Sequence, residues 1–136
     1  MTLKHVSYFR IRYSETDPMG TYYNSRVLEW FECGRTELCR ATGTPYREWE
    51  ARGVMLPVIE AHVKYQGMAR YDDRLKMTTT AGMSGKARMR FDVRIERADT
   101  AEPVCRGHTV HAVTDAAGKP IRPPRWVLEL LETGGD

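Results

Sequence analysis

One long helical period, set among segments that alternate with a period of two, limits what this chain can fold into. Residues 24 to 41, NSRVLEWFECGRTELCRA, gather Val27, Phe31 and Leu38, with Leu28 and Cys39 nearby, on one broad apolar side. Arg26, Glu29, Glu37 and Arg40 fall on the other side. Asn24 or Ser25 suits the start of this helix, and Gly43 follows its end. A shorter helical piece is expected from Pro45 to Arg52, ahead of Gly53. Val6 to Arg12 reads as a strand before the helix. VIEAHVKY, RLKMTTTA, ARMRFDVRIER and VCRGHTVHAVTD read as four more after it, separated by Gly, Pro, Asp or Ser turns. One helix cannot cover both faces of five strands. The pattern therefore predicts an α+β domain whose five-stranded antiparallel sheet curls over a single long helix, not a βαβ repeat. Near the C-terminus, WVLELL is expected to dock as a short strand or helix before a frayed polar end.

The 136 residues suit one domain, 1–136, and a content of 41% hydrophobic residues supplies an ordinary core. No apolar run approaches the roughly 18 residues of a membrane span, and MTLKHVSYFRIRYSETD lacks an apolar leader segment, so the cytoplasm is the expected location and no membrane insertion is expected. Lys plus Arg is 21 and Asp plus Glu is 18, for a net charge of +3 with the signs interspersed. A nucleic-acid protein usually concentrates its positive charge, whereas an anionic small ligand needs only a few placed cations, so charge alone does not choose between them. With no RNA-binding motif among the aromatic and basic residues and a modest net charge, no nucleic-acid partner is expected. Cys33, Cys39 and Cys105 form no CxxC pair and read as reduced structural thiols. His108 and His111, three apart in a strand, fall on opposite faces, and HExxH is absent, so no metal site is expected. The sheet's uncovered surface and edge call for a homo-oligomer.

Asp17 is the main chemical candidate because ETDPMG lies between a strand and a helix start, where a loop carboxylate either meets a substrate or caps an Asx turn. Free backbone N–H groups at that helix start either cradle an oxyanion or are hydrated. Asn24 can donate to a carbonyl, position water or cap the helix, but it is no general acid or base. Tyr22 and Tyr23 either line a pocket or pack the turn. Glu60 has His62 on its own strand face and serves as an auxiliary carboxylate or as an ordinary paired group. GMSGKARMR matches no phosphate-loop motif; its Lys86, Arg88 and Arg90 either face solvent or meet phosphates.

RYSETDPMGTYYNSRVLEWFECGRTEL, followed by LPVIEAHVKYQGMARYDDRL and CRGHTVHAVTDAAGKPIR, resembles the hotdog-fold acyl-CoA thioesterases, in particular the 4-hydroxybenzoyl-CoA thioesterase-like family. The likeness runs through to about Arg122. It implies hydrolysis of an acyl-CoA thioester to an acid and free CoA without a cofactor, by a dimer or tetramer. Asp17 matches the family's catalytic aspartate, as nucleophile or general base. Tyr23 matches the aromatic residue before the helix start. Asn24 stands where many relatives carry histidine or tyrosine, and its backbone N–H is the implied oxyanion donor. The resemblance places an acyl chain near the long helix and a subunit interface, which makes Trp30, Phe31, Leu56 and Val58, with Glu60, the expected substrate-binding residues. Arg70, Lys86 and Arg88 are the expected partners of the CoA phosphates. An acyl-carrier-protein thioesterase, a hotdog hydratase or dehydratase, and a non-catalytic acyl-CoA-binding or regulatory domain are the alternatives.

Overall fold

The computed structural model describes residues 2–133, so the expected polar end and the outermost positions of the 1–136 domain lie outside the described residues. The fourth strand shows why a sheet forms: RMRFDVRIER buries Met89, Phe91, Val93 and Ile95 and exposes Arg90, Asp92 and Arg94 between them. The elements are β1 (Thr2–Arg10), α1 (Arg26–Ala41), α2 (Tyr46–Ala51), β2 (Val58–Tyr65), β3 (Arg74–Met83), β4 (Arg88–Arg97), β5 (Pro103–Ala112) and α3 (Arg125–Thr133). The five strands form one antiparallel sheet in the order β1-β3-β4-β5-β2, which leaves β1 and β2 as edges. Arg10, Tyr65, Arg74, Arg97 and Pro103 mark one end of the sheet, and Val58, Met83, Arg88 and Ala112 the other.

Helix α1 lies on the inner face with Val27, Trp30, Phe31, Gly34, Leu38 and Cys39 buried. Leu28, expected on the apolar side, is exposed, and Trp30 takes its place. The buried stripe follows Val27, Phe31, Gly34 and Leu38, and the turn of one residue from Val27 carries Leu28 off that stripe. Strand β1 starts earlier than expected and ends at Arg10, because Ile11 leaves the ladder to donate its N–H to the Asp73 carbonyl at 3.1 Å. Strand β5 stops at Ala112, and Thr114 bridges instead to Met55 and Pro120. WVLELL is helical: Val127 and Leu131, four apart, are both buried in the cluster around Trp49. Among the described residues no helix is long and apolar enough to cross a membrane.

Two glycines set how closely α1 approaches the sheet. A Cβ on Gly34 would lie 2.6 Å from Thr79 Oγ1. A Cβ on Gly107 would collide with the His62 carbonyl on β2 and come within 3.0 Å of the Phe31 ring. Because the obstacle at Gly107 is backbone of a paired strand, Gly107→Ala is expected to cost about 1–3 kcal/mol, measured as a lowered denaturation midpoint at unchanged slope.

Candidate active site

After β1 the chain makes a short 3₁₀ turn at Tyr13–Glu15, and Thr16 then bridges to Tyr22, pinching residues 17 to 21 into a tight loop. The Asp17 N–H donates to the Thr21 carbonyl and the Gly20 N–H to the Asp17 carbonyl, each at 2.9 Å. Gly20, at φ +83°, supplies the left-handed residue this closure needs. Asp17 Oδ1 accepts the Met19 N–H at 2.9 Å, the Asx turn that such a loop predicts. Oδ2 has no hydrogen-bond partner among the described residues. One oxygen of a half-buried carboxylate thus holds the turn and the other is free for chemistry.

A second carboxylate fixes the loop from below. Glu15 is buried and accepts the Arg12 N–H at 2.7 Å, the Arg12 guanidinium at 3.2 Å and the Trp30 indole N–H at 3.0 Å. Burial pushes its carboxyl upward, but the hydrogen bonds from Arg12 and Trp30 prevail and hold it below the ordinary value, so it stays charged. Its backbone carbonyl accepts the Tyr23 N–H at 2.8 Å. Glu15 therefore ties the Asp17 loop to α1 from both its ends. Sequence reasoning missed it, since no local spacing announces a partner fifteen residues away.

Asp17 and Asn24 line one open pocket of about 330 Å³, walled by Tyr22, Tyr65, Met19 and Met68. The Tyr22 hydroxyl donates to the Gly67 and Val104 carbonyls at 3.1 and 3.3 Å, and burial pushes its pKa to about 12. It is a wall, not an acid. The Tyr65 hydroxyl donates to the Asn24 carbonyl at 2.9 Å, which fixes the peptide that opens α1. Ser25 makes no side-chain cap and neither does Asn24, contrary to expectation. The N–H groups of Asn24 and Ser25 meet no acceptor among the described residues, and they sit at the positive end of a sixteen-residue helix.

The other expected residues scatter. Tyr23 is exposed and its side chain does not line this pocket; it acts on the loop through its backbone. Trp30 and Phe31 are core, with Trp30 backing Tyr22 at 5.3 Å between ring centroids. Leu56 lines a separate cavity of about 170 Å³ with His111 and Cys39. Val58 begins β2 at the far end of the sheet, and Glu60 meets His108 Nε2 at 3.2 Å. Arg70 lies beside the Asp17 loop, its guanidinium 3.5 Å from the Gly20 carbonyl. Lys86 and Arg88 sit at the β3–β4 turn, a full strand length from Asp17 within one chain. Cys39 and Cys105 are buried and burial raises their thiols to about 11 and about 12, which leaves both protonated and poor nucleophiles.

A family model described as the thioesterase-like superfamily matches residues 11–131. The candidate acyl-CoA thioesterase YneP of Bacillus subtilis is 38% identical over 71 residues, 51% of each chain. The 1,4-dihydroxy-2-naphthoyl-CoA hydrolase of Synechococcus elongatus is 26% identical over 129 residues, 93% of each. The solved DHNA-CoA thioesterase of Staphylococcus aureus superposes with a TM-score of 0.82 at 26% identity, covering 93% of this chain and 85% of that one.

Proposed function

This chain belongs to the thioesterase-like superfamily and has its hotdog fold, and from that premise we propose that it hydrolyses an acyl-CoA thioester to a carboxylic acid and free CoA at the Asp17 pocket. The observation that carries this reading is the unengaged Asp17 Oδ2 in the same pocket as the unpaired Asn24 amide. A carbonyl oxygen seated on that amide is stabilised as it gains charge, an effect worth about 3–4 kcal/mol for one well-aimed donor. Asp17 then either attacks the carbonyl carbon, giving a mixed anhydride that water opens, or takes a proton from water as that water attacks. On the general-base route the water oxygen enters the acid directly, and on the anhydride route water opens either the acyl or the Asp17 carbonyl carbon. On both, the C–S bond breaks, the CoA thiolate takes up a proton and one water is consumed. Asn24 contributes its backbone N–H, and Tyr23 keeps the loop in place.

The test is mass detection of CoA and acid from a panel of aromatic and aliphatic acyl-CoA substrates. Aromatic groups are expected to turn over fastest, because Tyr22 and Tyr65, their rings 6.4 Å apart, both line the pocket. The hydrolase activity in the names of the Synechococcus and Staphylococcus relatives points the same way. Turnover of carrier-bound acyl groups alone would instead favour an acyl-carrier-protein thioesterase, and saturable binding without thiol release a binding domain.

The active assembly is proposed to be at least a dimer. Edge strand β2 exposes Val58 and Ile59 at 50% and 49%, an apolar edge left unpaired. Antiparallel pairing of β2 with β2 of a second copy lays that copy's Val58 end beside this copy's Tyr65 and Asp17 pocket. Val58 of the second copy can then flank the acyl group, and its Lys86 and Arg88 can join Arg70 at the CoA phosphates, while Leu56 stays in its own cavity and Glu60 stays with His108 on the outer face. Val58→Lys with Ile59→Lys is expected to shift sedimentation toward monomer and to lower turnover by more than about tenfold with the fold intact. A native chain that sediments as an active monomer would overturn the arrangement.

A further inference from the structure

The sheet's outer face carries a second feature, which the Asp17 chemistry does not use. Helices α1 and α3 pack on the inner face, and among the described residues no helix covers the outer one. There Lys64 on β2 stands in register with Arg106 on β5, which stands in register with Arg94 on β4. Thr78 on β3 continues the same row. Like charges directly opposite one another destabilise a sheet. Here three in a row are exposed, and none meets a carboxylate among the described residues; the ion pairs beside them are Arg90 with Asp92 at 3.0 Å and His108 with Glu60 at 3.2 Å. The row lines a groove of about 540 Å³ whose lining includes Thr78 and whose next row holds His62 and His108, their rings 5.5 Å apart.

We propose that this groove binds a multiply charged phosphate, with Arg94, Arg106 and Lys64 as its charged partners and Thr78 as a hydroxyl donor. Two steps between strands span on the order of 10 Å, a reach that suits linked phosphates better than one carboxylate. Guanidinium forks match phosphate oxygens two at a time. A second copy is a poor occupant, since a twofold contact would set this cationic row against itself. The phosphate comes from one of two sources. One is the nucleotide end of a CoA thioester, which would then seat its phosphates in this groove in place of Arg70, Lys86 and Arg88; this source rests on the thioesterase reading. A free polyphosphate anion is the other, and it does not.

The experiment is calorimetric titration of the native protein with adenosine 3′,5′-bisphosphate and with tripolyphosphate at low salt, repeated on Arg94→Gln with Arg106→Gln. The native protein is expected to bind at least one of them, and the variant at least about tenfold more weakly. Without phosphate the variant is expected to melt no lower than the native protein, because removing two of three facing charges relieves repulsion. Binding of neither anion by the native protein, or equal binding by the variant, overturns the site. The source is read from KM: a rise confined to the CoA thioester, with the phosphate-free pantetheine thioester unaffected, supports the nucleotide end. Unchanged KM for both, with anion binding lost in the variant, supports a free anion. Absence of turnover in every protein removes the thioesterase reading and leaves the binding result standing.

Discussion

Asp17→Asn is expected to lower turnover by about 10²–10⁴-fold while the protein keeps its fold and assembly. The substitution separates the two roles of this side chain. An amide oxygen still accepts the Met19 N–H now held by Oδ1 at 2.9 Å, so the turn survives. What disappears is the charge on Oδ2, and with it both nucleophilic attack and proton abstraction. Stability should move by no more than about 0.5 kcal/mol, and single-turnover acid formation, followed by mass, is the direct readout. Equal turnover by the two proteins would return Asp17 to the role of a loop cap and leave the Asn24 amide without a chemical partner.

Acid is expected to unfold the protein in a window set by His111. This residue is buried, its Nδ1–H donating to the Leu56 carbonyl at 2.8 Å and its Nε2 accepting the Thr109 hydroxyl at 2.9 Å. Burial first, and the Arg35 charge second, push it down to about 4 against the partial support of the Leu56 carbonyl. Between pH 6.5 and about 4 the unfolded chain takes a proton on His111 that the folded chain refuses. Unfolding therefore gains as the pH falls, by about 3 kcal/mol across the window. Glu15 works in a lower range. Its folded carboxyl lies below 4.5, so its contribution is present above that value and is lost only as the pH falls further. Urea unfolding at a series of pH values should show the first loss in the native protein and a flattened slope between pH 6.5 and 4 in His111→Gln. Parallel slopes for the two proteins would assign the acid sensitivity to other groups.

Residue order carried the architecture because its signals are local. The strict alternation of RMRFDVRIER, the helical stripe through Val27, Phe31 and Leu38, and the turn residues between strands each act within a few positions, and the sheet and long helix follow from them. The Asp17 turn was legible for the same reason: a carboxylate before Pro18 and Gly20, between a strand and a helix start, announces an Asx turn in six letters. Even the errors were short-range, as with Leu28, one residue off the buried stripe.

What only the tertiary structure decided are the contacts whose partners lie far apart in sequence. The Glu15 carboxylate on the Trp30 indole and the Tyr65 hydroxyl on the Asn24 carbonyl, 41 residues apart, give the site its rigidity. Strand register alone lines Lys64, Arg106 and Arg94 into one row and sets Lys86 and Arg88 at the opposite end from Asp17. A shift of one residue in any of those pairings would turn the same side chains to the other face. Periodicity states which faces a segment has; only the packed sheet chooses which neighbour each face meets, because that choice is made by the sum of long-range burial and not by any local preference.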